Sequence, residues 1–194
     1  MASGPPVGGY EALEREVLAE LNAARTDPSR YASRVEAMIP HFDGLVLRRP
    51  GSSVGVSTRE GAAAVREAAA ALRATQPMGG VARSAGMTAA ARDLLQDHGP
   101  RGATGHTGSD GSTLAQRLER HGRWLERITE SISYGPATGA DVIQGLIIDD
   151  GVRDRGHRRN LLDRAVRIVG IACGPHVHYG TMCVIDLAGG YRES

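Results

Sequence analysis

Two histidines and a handful of carboxylates occupy positions where side chains of these types could bind a ligand or move a proton. His106 lies in Gly105-His106-Thr107-Gly108-Ser109-Asp110-Gly111-Ser112. A histidine within so much glycine stands on irregular, accessible backbone, where binding and catalytic groups collect. Read locally, the same segment is a helix-entry turn in which Asp110 and Ser112 cap and His106 is merely exposed. His157 lies in Asp149-Asp150-Gly151-Val152-Arg153-Asp154-Arg155-Gly156-His157-Arg158-Arg159-Asn160. On the helix expected before it, Val142, Leu146 and Asp149 share one face, and Ile143, Ile147 and Asp150 share the next. An apolar helix face ending in carboxylates beside a Gly-His turn has the makings of a polar cleft wall. The local alternative is a charged, solvated turn whose Asp/Arg pairs contribute little. Glu130 precedes the apolar run Ile132-Ser133-Tyr134, and a half-buried glutamate there needs a partner or a shifted pKa.

Other chemistries are excluded by what is missing. The chain contains no H-E-x-x-H, P-loop or G-x-G-x-x-G motif. Asp149-Asp150-Gly151 lacks calcium-loop spacing. All 23 basic residues are arginine, which removes Schiff-base and Ser-Lys chemistry. A serine-protease variant would pair Ser109 or Ser112 with His106 and needs an acid behind the imidazole, which the sequence does not place. His176-x-His178 could present two imidazoles on one strand face, but two ligands alone hold a metal weakly. His41, His98 and His121 suggest no function.

These residues require a scaffold, and the composition supplies one. The 194 residues are 41% hydrophobic and 23% charged, enough for one domain with a core. A net charge of +1 and a 4% aromatic content argue against nucleic acid as a partner. No apolar run reaches the length of a membrane span. Residues 1–9 read as a disordered tail without the basic start and apolar stretch of a signal peptide.

Beyond the tail, residues 10–25 read as an amphipathic helix and Pro28 opens a second through Met38. Residues 41–57 read as loop with a strand at Leu45–Leu47. A helix is expected over 58–75, capped by Thr58, and another over 84–97, capped by Ser84. Gly99 to Gly111 is expected as loop. Ser112 caps a helix to His121, which Gly122 ends. Residues 131–134 read as a short strand, and Thr138 starts a helix ending near Asp150. The runs 168–173 and 181–187 form a hairpin. Cys173 and Cys183 lie symmetrically about its centre, either bridged or as two buried thiols; a bridge would favour an oxidising compartment. Helices and strands are mixed rather than alternating, which favours a helix-sheet-helix sandwich over a doubly wound fold.

Taken together and in order, these segments resemble the CAP superfamily: cysteine-rich secretory proteins, antigen 5 and pathogenesis-related class 1 proteins, in its bacterial form. Leu21-Asn22-Ala23-Ala24-Arg25 resembles the family's first-helix N-x-x-R pattern, and Gly105-His106-Thr107 its first histidine motif. Thr129-Glu130-Ser131-Ile132 resembles the Gly-Glu-Asn segment, and Leu146-Ile147-Ile148-Asp149 the Trp-x-x-Glu helix. Gly156-His157-Arg158-Arg159-Asn160-Leu161-Leu162 is similar to the second histidine motif, and Val169–Ala172 with Cys183–Ile185 to the terminal hairpin. The resemblance covers roughly residues 10–190.

It implies an α+β fold, a three-layer α-β-α sandwich forming a single domain over residues 10–194. It also implies a central cleft with His106 and His157 as ligands for a divalent metal such as zinc, and Glu130 and Asp149 as acids near bound water that could serve catalysis. Asp149 is one methylene shorter than the family's glutamate, and Asp150 is the alternative second acid. Family habit implies an extracellular or periplasmic protein that binds lipids, sterols or other extracellular ligands. The alternative is a metal-assisted hydrolase acting on peptides.

Overall fold

The two apolar, β-branched runs near the C-terminus pair as expected and form the spine of the sheet. The computed structural model describes residues 8–49 and 54–194; the expected disorder of the tail falls mostly on residues 1–7, outside the described residues. Strands β6 (Ile168–His176) and β7 (Gly180–Glu193) are antiparallel, with Cys173 directly opposite Cys183. The two cysteines are disulfide-bonded, which settles the choice between bridge and thiols. Strand β5 (Gly122–Tyr134) lies antiparallel to β7 at one edge, and the two-residue strand β4 (Ala82–Arg83) lies parallel to β6 at the other. The sheet thus has the order β4-β6-β7-β5.

Alternation along β7 divides its side chains between two cores. Cys183, Ile185 and Leu187 join the larger core, with α1 (Gly9–Thr26), α2 (Pro28–Glu36), α3 (Ala62–Ala74), α6 (Gly139–Ile148) and α7 (Gly156–Leu161). Met182, Val184 and Ala188 face α4 (Ala85–Arg101) and α5 (Leu114–His121). Helices cover both faces of one sheet, which is the three-layer α-β-α sandwich. Gly170 on β6 lets the α4 layer approach closely, since a Cβ there would fall 2.2 Å from the Met87 carbonyl carbon.

Several element limits differ from the sequence expectation. Helix α3 starts at Ala62, not at residue 58, because Gly61 adopts φ 61° and breaks the chain direction. Thr58 is therefore no cap; its hydroxyl donates to the Leu45 carbonyl. The cap of α5 is Thr113 rather than Ser112, in a reciprocal capping box with Gln116. Helix α4 runs past residue 97 to Arg101, through Gly99-Pro100, and ends at Gly102 with φ 67°. Gly99 is needed there because a Cβ would fall 2.4 Å from the Pro175 carbonyl oxygen.

The short strand expected at 131–134 is the end of a 13-residue strand. Its first half is charged because it is an edge strand, and a bulge separates Leu125 from Ile128, with Glu126 at φ 63°. The segment 41–57 contains three two-residue strands, β1 (Phe42–Asp43), β2 (Val46–Leu47) and β3 (Val56–Ser57), after a 3-10 turn at Ile39–His41. What read as a Gly-His turn is the first turn of α7.

Candidate functional site

Helix α4 delivers the chain to His106, and the loop that follows is held at nearly every residue. His176 Nε2 bonds the Ala103 carbonyl at 2.9 Å. The Gly105 N–H donates to the Tyr134 hydroxyl at 3.0 Å, and Arg117 Nη1 donates to the His106 carbonyl at 3.1 Å. His98 Nε2 reaches the Thr107 carbonyl at 3.0 Å. A glycine-rich loop pinned in this way can hold one imidazole in a fixed place. His106 Nδ1 lies 2.8 Å from Glu130 Oε1, and the other Glu130 oxygen accepts from Arg117 Nη2 at 2.7 Å. The Glu130 and Arg117 side chains are 3% and 1% exposed, whereas His106 is 57% exposed. The bond to Glu130 raises the His106 pKa above its ordinary value; desolvation and the Arg117 charge oppose it.

The second histidine is placed by the end of α6. Asp149 closes that helix in the left-handed region, φ 55°, a conformation aspartate tolerates. From there its carboxylate lies over the start of α7. Oδ1 meets His157 Nδ1 at 2.7 Å, and Oδ2 accepts the His157 backbone N–H at 2.9 Å. One acid thus orients the imidazole and satisfies a free donor of the helix start. The shorter acid suffices because the left-handed turn carries it in. Asp150 does not take this place: its oxygens accept the backbone N–H groups of Arg59 and Glu60 at 2.6 and 2.8 Å.

The turn between Asp149 and His157 is clamped to α3. Arg155, at φ 50°, forms a two-pronged pair with Glu60 and also donates to the Asp149 carbonyl. Arg155, together with the Gly151 N–H, holds the Glu60 carboxyl down at about 2. Arg158 pairs with Glu67 through both terminal nitrogens and donates Nε–H to the Ile147 carbonyl.

Asn160 links the helix that carries His157 to the strand that carries Glu130. Asn160 lies one turn after His157 on α7, on the same face. Its amide donates to the Glu130 carbonyl at 3.2 Å and to Ser131 Oγ at 3.4 Å. His106 and His157 therefore flank one stretch of β5, from the α4–α5 loop and from α7. In both, Nδ1 is bound to a carboxylate, while Nε2 has no hydrogen-bond partner among the described residues.

An imidazole held through Nδ1 by a carboxylate, with Nε2 free, is oriented as metal-ligating histidines commonly are. Among the described residues no group of three or more His, Cys, Asp or Glu side chains is arranged to hold a metal ion. Each imidazole therefore offers one nitrogen to an ion, and the described residues supply no third ligand.

Three residues of this array carried no role in the sequence reading. Arg117 falls inside the helix expected from Ser112 to His121, Asn160 inside the second histidine motif, and Asp186 inside the run 181–187. Asp186, on β7, is fully buried and directly opposite Glu130 of β5. An acid inside the run Cys183-Val184-Ile185-Asp186-Leu187-Ala188 was the available signal. The serine-protease variant finds its acid in Glu130 but lacks a nucleophile: Ser109 Oγ donates to Asp97 at 2.6 Å, and the Ser112 hydroxyl is held by Asp110. His176 is committed on both ring nitrogens, to the Ala103 carbonyl and to the His178 and Tyr179 N–H groups, so His176-x-His178 is a structural turn.

Two solved structures are similar to this chain. One is an extracellular protein containing an SCP domain from Bacillus anthracis, 19% identical, with a TM-score of 0.47 over 57% of this chain and 34% of that one. The other is an outer surface protein of Borrelia burgdorferi, 13% identical, with a TM-score of 0.49 over 60% of this chain and 80% of that one. The chain spans about a third of the length of the Bacillus anthracis protein. No curated protein matches the sequence. The family model for the cysteine-rich secretory protein family, CAP, matches residues 66–186, which include both histidine–acid pairs and the disulfide. The chain belongs to the cysteine-rich secretory protein (CAP) family.

Proposed function

We propose that this protein is a binding module that works outside the cytoplasm, taking a ligand at the edge of β5 between His106 and His157 with a divalent ion such as zinc. The observation that carries the reading is the pair of imidazoles, each oriented through Nδ1 by its own carboxylate, with Nε2 left for an external partner. Zinc bound there would supply a Lewis acid with open coordination positions. The chain's own residues do the rest. Glu130 and Asp149 fix the tautomer and aim of each ring, Arg117 balances the charge of Glu130, and Asn160 holds the two halves together. The Cys173–Cys183 bridge supports an oxidising location, extracellular or periplasmic.

The hydrolase alternative draws less support. A general base on water needs a carboxylate with a free lone pair facing the cleft. Here Glu130 is bound by His106 and Arg117, and Asp149 by the ring and backbone of His157. The open cavity between α1 and α4, about 700 Å³, is lined by Glu14, Arg15, Arg83 and Arg92 together with Ala85 and Ala89, and includes neither His106 nor His157.

Cobalt(II) is the direct probe of this reading. The metal-free protein should develop a visible ligand-field spectrum on cobalt addition, zinc should displace it, and His106→Ala and His157→Ala should each abolish it. Absence of a spectrum in the wild type overturns the metal part of the reading. Chelator-sensitive cleavage of a peptide library would favour the hydrolase, and co-purified lipid would favour the lipid module.

A further inference from the structure

A fully buried acid in the centre of a sheet requires an explanation, and Asp186 is the one such residue in the strands behind the site. It faces Glu130 on β5 in direct register and Gly170 on β6. Its side chain lies on the α4–α5 side of the sheet, between Val184 and Ala188. Neither carboxyl oxygen receives an N–H or hydroxyl donor from the described residues. The charged and titratable groups around it are few: Glu130 from β5, Arg117 from α5, and His106 behind Glu130. The α4 backbone at Met87–Thr88, which closes over Gly170, brings no charge.

Charge counting decides the protonation state. Two ionised carboxylates against one buried guanidinium would leave a net negative charge out of water, which the fold avoids by keeping a proton. Glu130 is the acid with two donors already in place, so it keeps the charge. Asp186, with none, keeps the proton. We propose that Asp186 is a positioning residue of the His106 site: a neutral carboxylic acid that donates its proton to Glu130 and so completes the three-donor cradle that aims this carboxylate at His106. Burial and the neighbouring Glu130 both hold the Asp186 carboxyl well above the usual carboxylate range.

The inference rests on the proposed function only where it concerns metal affinity, and the test separates the two. The first readout is the Asp186 carboxyl itself, followed by carbon-13 shift and by the infrared stretch of a protonated acid. The account predicts a protonated signal at pH 7 that persists above it and vanishes in Asp186→Asn. A carboxylate signal at pH 7 overturns the proposal, and this measurement on wild-type protein needs no variant to fold.

The second readout is the His106 titration. Asp186→Asn keeps a donor and removes no charge, so the His106 pKa should stay in place. A fall of about one unit would mean that Asp186 was ionised, and would overturn the proposal. The third is zinc affinity: Asp186→Leu, which cannot donate, should weaken it by about 10-fold while Asp186→Asn retains it. If the wild type binds no zinc, the proposed function fails on its own, and the first two readouts still decide the role of Asp186.

Discussion

Replacing Arg117 by methionine removes the buried guanidinium that balances Glu130 and leaves a side chain of similar length. The Arg117 and Glu130 side chains are 1% and 3% exposed and 2.7 Å apart, so solvent screens the pair very little. Breaking a buried pair by removing one partner costs about 3–5 kcal/mol, because the surviving charge stays out of water. Arg117→Met also releases the carbonyls of His106 and Ser112, each now bonded to Nη1 at 3.1 Å. The loss should therefore lie near the upper part of that range, about 4 kcal/mol. In a domain of this size that corresponds to a fall in Tm of about 8–16 °C.

The imidazole should report the change as well. Arg117 opposes protonation of His106, so its removal should raise the His106 pKa further above the ordinary value. Urea unfolding at pH 7 measures the first effect, and histidine-resolved NMR titration the second. A loss below about 1 kcal/mol, typical of an exposed pair, would refute the claim that this array is buried and interdependent. So would a His106 pKa that falls.

Other positions give separate tests. Arg25 is buried and donates to four carbonyls, those of Gly79, Leu161, Asp163 and Val166, at 2.8–3.0 Å. Arg25→Ala should cost about 3–5 kcal/mol by denaturant unfolding and loosen amide exchange protection over residues 161–166. Reduction of the Cys173–Cys183 bridge, which closes a separation of 10 residues, should lower stability by about 2–3 kcal/mol, and a Tm unchanged on reduction would contradict this.

The raised pKa of His106 sets a pH window. Its bond to Glu130 stabilises fully below the unfolded histidine value of about 6.5, and this contribution is lost as pH rises through the higher folded value. The stability difference between wild type and His106→Ala should therefore shrink from mildly acidic to alkaline pH; a difference that grows with pH would contradict the assignment. Glu60→Gln removes the charge that pins Arg155 at positive φ, so it should lower stability and broaden the His157 resonances, whereas a distant surface glutamate such as Glu119 should do neither.

Much of this was written in local signals, and what was not depended on distant contacts. The hairpin followed from two β-branched runs about a short turn, whereas the choice between a bridge and two thiols waited on the register of β6 on β7. Ser84 and Thr138 were legible as caps because hydroxyl residues at helix starts act within four residues. The start of α3 was misplaced because alanine propensity extends the helix backwards, while Gly61 alone ends it. The length of β5 was hidden because an edge strand carries charges such as Arg123, Glu126 and Arg127 that mimic a loop.

At the site, His106, Glu130, Asp149 and His157 were drawn together only by the resemblance of their motifs to the CAP family; read locally, each suited an ordinary turn or strand end. The choice of Asp149 over Asp150 was not legible, since it turns on a left-handed residue at the end of α6. Arg117 and Asp186 escaped for a related reason. Each is one residue in an otherwise ordinary pattern, and only the register of β5 on β7 and the packing of α5 bring them to Glu130.

The central claim is that His106 and His157 serve one site, and calorimetric titration of zinc into metal-free protein tests it most directly, with His106→Ala and His157→Ala alongside. The account predicts one zinc per chain in the wild type, with either substitution abolishing the heat of binding and leaving the far-ultraviolet spectrum unchanged. Retention of the full affinity in either folded variant, or no binding in the wild type, would contradict it.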